Sequence, residues 1–175
     1  LISDYIFLSM LFIVVIFSWI EWIKVIEKIK FKKIYRIIHI IFFLIYLLMA
    51  FIVFFNVYVI DKYFFLTILM ICVFSDVGGY VFGKSFGGKK LTKISPNKTV
   101  SGSIGSFVFS YIGFFVIYIY FSDLLFVRLQ IEALVFIPFF ISLICQSGDL
   151  FISYYKRRAK IKNTGNLIPG HGGLL

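Results

Sequence analysis

Five apolar runs dominate this chain, and few folds can hold them. They are Leu1 to Ile23, Ile37 to Ile60, Tyr63 to Phe82, Ile104 to Phe121 and Ala133 to Ile152. At about 1.5 Å per helical residue, roughly 20 residues cross the ~30 Å hydrocarbon core of a bilayer. The runs do not alternate polar and apolar residues in short segments, which excludes a transmembrane β-barrel. A soluble core is excluded as well. Hydrophobic residues make up 61% of the chain and 24 of its 175 residues are Phe, more than a soluble domain of this size can bury. The expected fold class is all-α: a polytopic integral membrane protein, one transmembrane domain (1–175) with about five spans. The first residue is Leu, already inside an apolar run and with no basic segment before it. That start is expected to be a fragment start, not a cleavable signal, and the domain is expected to be incomplete at both ends.

The basic residues orient the spans. The connections 24–36, 83–103 and 153–173 hold sixteen of the eighteen Lys and Arg; Lys62 and Arg128 lie in the two between them. This alternation is what the positive-inside rule predicts for five consecutive spans, so the three basic connections are expected to face the cytoplasm. The net charge of +10 therefore points to anionic lipid or a phosphorylated substrate, and not to nucleic acid. The stretch Lys24 to Arg36 carries apolar residues between its lysines and is expected to form an amphipathic helix on the headgroups. Cys72 and Cys145 lie inside apolar runs without metal-ligand spacing and read as small apolar residues. His39 reads as an interfacial histidine.

The chemistry concentrates toward the ends of the third and fifth spans. Asp76 and Asp149 hold matching places there, and acids inside spans usually face a polar cavity. The plain alternative for each is an acid that reaches the interface or pairs with a lysine. Two carboxylates on neighbouring helices suit Mg²⁺, which takes one or two of them and leaves its other positions to water and phosphate. Between the third and fourth spans, "GGKKLTKISPNKTVSGSIGS" (87–106) combines lysines, hydroxyls and glycines. Glycine lets backbone N–H groups approach an anion, and the start of the fourth helix is expected to add unpaired N–H groups. Thr99, Ser101 or Ser103 can cap that helix. The stretch 87–106 itself contains no GxxxxGK[ST] loop. The tail "KRRAKIKNTGNLIPGHGGLL" places five basic residues in seven positions, then His171 among glycines, where it is a candidate acid, base or ligand. Together these parts suit phosphoryl or nucleotidyl transfer, which depends mainly on positioning and charge stabilisation.

The stretches "SDVGGYVFGKSFGGKKLTKISPNKTVSGSIGS" and "GDLFISYYKRRAKIKNTGNLIPGHGGLL" resemble the phosphatidate cytidylyltransferase (CDP-diacylglycerol synthase) family over about Ser75 to Leu175. The tail is similar to the family signature Ser-x-x-Lys-Arg, Lys-Asp, Pro-Gly-His-Gly-Gly. The resemblance implies an enzyme, a nucleotidyltransferase, that joins CTP and phosphatidate into CDP-diacylglycerol and pyrophosphate with Mg²⁺. It implies metal binding by Asp149 and Asp76, and nucleotide binding by Ser95, Pro96, Lys98 and Thr99. It implies catalytic roles for Asp149, Lys156, Arg157, Lys162 and His171. The expected setting is a bacterial inner membrane with the site on the cytoplasmic side. The lipid bilayer is a partner, nucleic acid is not, and a homodimer is left open. Asn163 stands where the signature has Asp, and Val100-Ser101 stand where many members have Trp-Glu. The signature closes with Asp-Arg-x-Asp, which does not occur up to Leu175, so a complete site is expected to need further residues. Two other readings stay open: a CTP-dependent membrane enzyme acting on another lipid phosphate or lipid alcohol, and a non-enzymatic transporter. A transporter would spread polar groups along the midplane, whereas these acids crowd toward one end.

Overall fold

The computed structural model describes residues 4–121, 130–165 and 173–175. It contains helices α1 (Asp4–Glu27), α2 (Lys33–Ile60), α3 (Lys62–Phe86), α4 (Val100–Phe121) and α5 (Ile131–Arg158). All five are long and apolar enough to cross a membrane. The protein is an all-α polytopic membrane protein, as the apolar runs required. Large side chains on α2, such as Phe42, Tyr46 and Met49, are exposed. In a bilayer such a surface meets acyl chains, so its exposure carries no hydrophobic penalty.

The helices outrun the hydropathy boundaries, mostly at the basic connections. α3 continues to Phe86 and α5 to Arg158, carrying Lys84 and Lys156 to Arg158 into their last turns. Backbone hydrogen bonding does not stop where apolar residues stop, and cations are favourable at the carbonyl end of a helix. The stretch Lys24 to Arg36 corrects the expected surface helix. α1 runs on to Glu27, only 28–32 leave the helix, and α2 starts at Lys33. Val25, Ile26 and Ile29 are buried, so these apolar residues between the lysines enter a protein core instead of lying on lipid, while Ile34 and Tyr35 stay exposed.

The chain forms two compact units, Leu1–Asn56 with Ile152–Leu175, and Val57–Phe151. In the first, Trp22, Val25, Ile26, Phe43 and Ala159 build the core. Trp22 stacks on Phe43 with ring centroids 4.2 Å apart, and its indole N–H donates to the His39 carbonyl at 3.1 Å. His39 itself stacks on Phe31, with its Nδ1 2.7 Å from the Tyr35 carbonyl.

The second unit is organised by α3 against α4. Asp61 ends the preceding helix and caps α3, its carboxylate accepting from the Tyr63 and Phe64 N–H groups, both at 2.9 Å. One residue therefore suffices to turn the chain. α3 and α4 then meet through glycine. A Cβ on Gly78 would lie 2.3 Å from the Gly105 carbonyl oxygen, and one on Gly105 only 2.4 Å from Phe82 Cβ. Small residues let membrane helices approach to backbone contact, where dispersion and not hydrophobicity holds them. The near segment of α5 joins this pair through polar side chains. Ser75 and Ser142, both fully buried, lie 2.8 Å apart, and Tyr111 donates to the Val135 carbonyl at 2.7 Å.

Candidate functional site

The glycine contact between α3 and α4 brings the third connection over the same helix face that carries Asp76. At the end of α3, Gly87 takes φ +57° and Gly88 φ +96°, a backbone that side-chain-bearing residues resist. The Gly87 N–H closes the helix on the Gly83 carbonyl at 3.2 Å. The loop then doubles back on itself: Leu91 N–H donates to Lys98 O at 2.9 Å, and Val100 N–H to Lys89 O at 3.0 Å. These glycines serve the turn.

Thr99 caps α4. It is buried, and its hydroxyl accepts from the Gly102 N–H at 3.1 Å. The other two cap candidates are used elsewhere. Ser101 donates to the Gly87 carbonyl, and Ser103 donates to Gln146 of α5 at 2.5 Å. The expected supply of unpaired N–H groups at the start of α4 is correspondingly reduced. The Val100 and Gly102 N–H groups are already engaged inside the protein. The Lys98 ammonium and the loop hydroxyls are the groups placed to meet an anion here.

A cavity of about 320 Å³ opens between these elements. Asp76 from α3, Ser95, Lys98 and Thr99 from the loop, and Asp149 from α5 all line it. Pro96 lies exposed in the same loop and does not line it. The Lys98 ammonium forms a salt bridge with the Asp149 carboxylate, so the lysine pairing weighed for these acids is realised at Asp149. That carboxylate is 52% exposed, open to whatever enters. Ser103, Ser106 and Gln146 add neutral oxygen atoms to the wall.

Gln146 was not singled out from the sequence. It stands three residues before Asp149, hence on the same helix face, and that spacing was the signal. Its amide accepts from Ser103 of α4 and donates at 3.3 Å to Ser142 on its own helix, and Ser142 in turn meets Ser75 of α3, so one polar chain links three helices. A buried polar chain of this kind fixes side-chain direction beside the acids. Cys72 and Cys145, one turn before Asp76 and Asp149, are free thiols with sulfurs 3.2 Å apart.

The basic tail belongs to the other unit. Lys156 donates to the Leu175 carbonyl at 3.1 Å, Arg157 is exposed in the last turn of α5, and Lys162 is exposed beyond it. Arg158 lies over the Phe31 ring at 5.0 Å. His171 and Pro169 fall outside the described residues.

Fold and site define a class: an integral membrane protein of apolar helices whose carboxylates, one lysine and several hydroxyls share one cleft. The chain belongs to the cytidylyltransferase family, whose profile matches residues 2–175. It is 41% identical over 109 residues to the phosphatidate cytidylyltransferase of Helicobacter pylori, which covers 62% of this chain and 39% of that protein. It is 38% identical over 131 residues to the phosphatidate cytidylyltransferase of Bacillus subtilis, covering 73% of this chain and 47% of the relative. The protein of that name from Staphylococcus aureus is 35% identical over 128 residues, with 73% and 48% covered. The chain thus spans about half or less of the length of the curated relatives it matches.

Proposed function

We propose that this chain carries the nucleotide-binding part of a phosphatidate cytidylyltransferase. The reaction joins a phosphate oxygen of phosphatidate to the α-phosphorus of CTP. The bond from that phosphorus to the β-bridging oxygen breaks, and its electron pair leaves with pyrophosphate. The site opens toward the basic, cytoplasmic side of a bacterial inner membrane, where a lipid phosphate meets a soluble nucleotide.

The observation that carries the reading is the cavity that gathers Asp76, Asp149, Ser95, Asn97, Lys98 and Thr99. Lys98 stands over Asp149 and can move its charge from that carboxylate to an incoming phosphate oxygen. The Ser95 hydroxyl, on the same wall, can donate to phosphate. Thr99 holds the loop to the start of α4, so Lys98 and Ser95 meet the nucleotide on a fixed frame. The basic residues Lys156, Arg157 and Lys162 are assigned to substrate phosphates, and His171 to the same charge-handling task.

The residues present fit Mg²⁺. Two carboxylates and the neutral oxygens of Ser103, Ser106 and Gln146 share one cavity, and an ammonium already rests on one carboxylate. Mg²⁺ takes one or two carboxylates and fills its other positions with water and phosphate, so the two acids of this cavity are a sufficient protein share. Asp76 and Asp149 would hold it, and when bound it supplies neutralisation of phosphate charge.

The test is an assay of the full-length protein in mixed micelles with CTP, phosphatidate and Mg²⁺. CDP-diacylglycerol is expected, and its formation should stop on chelation. Asp149→Asn and Asp76→Asn should each lower kcat by about 10²-fold or more, the scale of losing one group that stabilises transition-state charge. No product from the wild type, or unchanged turnover in Asp149→Asn, would overturn the reading.

A further inference from the structure

Glu21 is a buried carboxyl group that neither the site nor the sequence motifs use. It lies on α1, 1% exposed, within the unit that contains the basic tail. A buried carboxylate is costly unless hydrogen bonds replace its water. Here they come from both flanks of the tail motif. On one side, the Thr164 hydroxyl donates to Oε2 at 2.7 Å. On the other, Leu174 N–H donates at 2.9 Å and Leu175 N–H at 3.0 Å, to the same oxygen.

The glycines at these flanks fit the same contact. A Cβ on Gly165 would lie 2.7 Å from Glu21 Oε1. One on Gly173 would lie 2.8 Å from Oε2, 2.9 Å from the Gly165 nitrogen and 2.1 Å from the Thr164 hydroxyl. Gly173 also takes φ +125°. Two glycines are thus required by one carboxyl group, and the chain at 164–165 and at 173–175 is held to it from both sides.

We propose that Glu21 is a positioning residue: it fastens residues 164–165 and 173–175, which flank the tail's glycine-rich motif, to α1. This rests on the cytidylyl-transfer reading for its catalytic consequence, but the clamp itself does not. Glu21 does not line the cavity of Asp76, Asp149 and Lys98. Loosening the clamp should therefore lower the rate of transfer and leave nucleotide affinity in place. A misplacement on the order of 1 Å is enough to lose roughly 10²-fold in rate.

The experiment uses the full-length protein in proteoliposomes and compares wild type with Glu21→Gln and Thr164→Val. Glu21→Gln keeps the shape but removes the charge, and with its carbonyl oxygen at the Oε2 place it sets an N–H₂ group where Oε1 meets the Leu174 N–H at 3.1 Å. Amide hydrogen exchange is followed by mass spectrometry in peptides that contain Leu174 and Leu175, and in peptides of α3 and α4. Kinetics are measured against CTP. Glu21→Gln should raise exchange in the tail peptide by about tenfold or more with α3 and α4 unchanged, and Thr164→Val should do so more weakly. Glu21→Gln should lower kcat by about tenfold or more, with KM for CTP within about twofold. Unchanged tail exchange would overturn the clamp, and so would an equal rise in α3 and α4, the mark of general destabilisation. A loss expressed in KM and not in kcat would overturn the positioning role. If wild type makes no CDP-diacylglycerol, the functional reading fails while exchange still decides the clamp. If Glu21→Gln does not fold, Gly165→Ala strains the same contact from the tail side and must give the same exchange pattern.

Discussion

Gly105→Ala adds one carbon atom where two helix backbones touch. The new Cβ would sit 2.4 Å from Phe82 Cβ and 2.6 Å from the Gly78 carbonyl oxygen. Ordinary contact begins at 3.4 Å, so α3 and α4 must part by about 1 Å. The obstacle is a backbone oxygen and a Cβ, neither of which can rotate away. Overpacking of this kind costs about 1–3 kcal/mol. Alanine recovers roughly 0.5–1 kcal/mol over glycine in a helix, which leaves a net loss centred on ~1 kcal/mol, with a span of about 0–2.5 kcal/mol. Gly148 is the matched control, since a Cβ there meets nothing within 4 Å. Gly148→Ala should show only the helix gain, roughly 0.5–1 kcal/mol. Reversible unfolding in mixed micelles with rising SDS fraction compares the two, and the expected shifts have opposite sign. Asp76 stands two residues before Gly78 and Ser106 follows Gly105, so Gly105→Ala should also reduce transfer activity. Equal stability of Gly105→Ala and wild type, or a loss in Gly148→Ala as large as in Gly105→Ala, would refute backbone contact as the basis of α3–α4 pairing.

Further outcomes follow from the cavity. Lys98→Met keeps the side-chain length and removes the charge, and it should raise KM for CTP by about tenfold, the worth of one charge-assisted hydrogen bond to phosphate. The Lys98–Asp149 pair is partly exposed, so the same variant should change stability by less than about 1 kcal/mol. A CTP titration and a melting curve check the two halves. Thr99→Val removes the cap of α4 and should cost about 1 kcal/mol in the same unfolding assay, with Thr99→Ser restoring most of it.

Much of the site was legible because local sequence carries it. Asp76 and Asp149 are conspicuous as acids in apolar runs, and Lys98 and Thr99 sit in a loop of turn-forming residues before a helix. Their meeting in one cavity was implied by equal depth on neighbouring spans, but equal depth does not say which faces turn inward. Gln146 illustrates the gap. In sequence it is one polar residue near a helix end, and it becomes a bridge only because Ser103 and Ser142 lie within its reach. The lysine-rich stretch 24–36 shows the reverse error. Its mixed pattern suits a surface helix, but Val25, Ile26 and Ile29 find partners in a core assembled from α1, α2 and the end of α5.

By itself, the sequence determined the helical membrane class and the alternation of basic connections. Those follow from transfer of backbone and side chains between water and hydrocarbon, and each residue contributes without knowing its neighbours in space. Tertiary structure decided which glycines are backbone contacts and which are turns, which hydroxyl caps α4, and what a buried glutamate on α1 is for. Gly87 and Gly105 look alike in the chain, yet one meets nothing and the other meets a carbonyl oxygen. Glu21 is separated by 143 residues from Thr164, and no pattern in either segment announces the other. Hydrogen-bond satisfaction of a buried group is a pairwise condition on positions in space, so only the packed chain can express it.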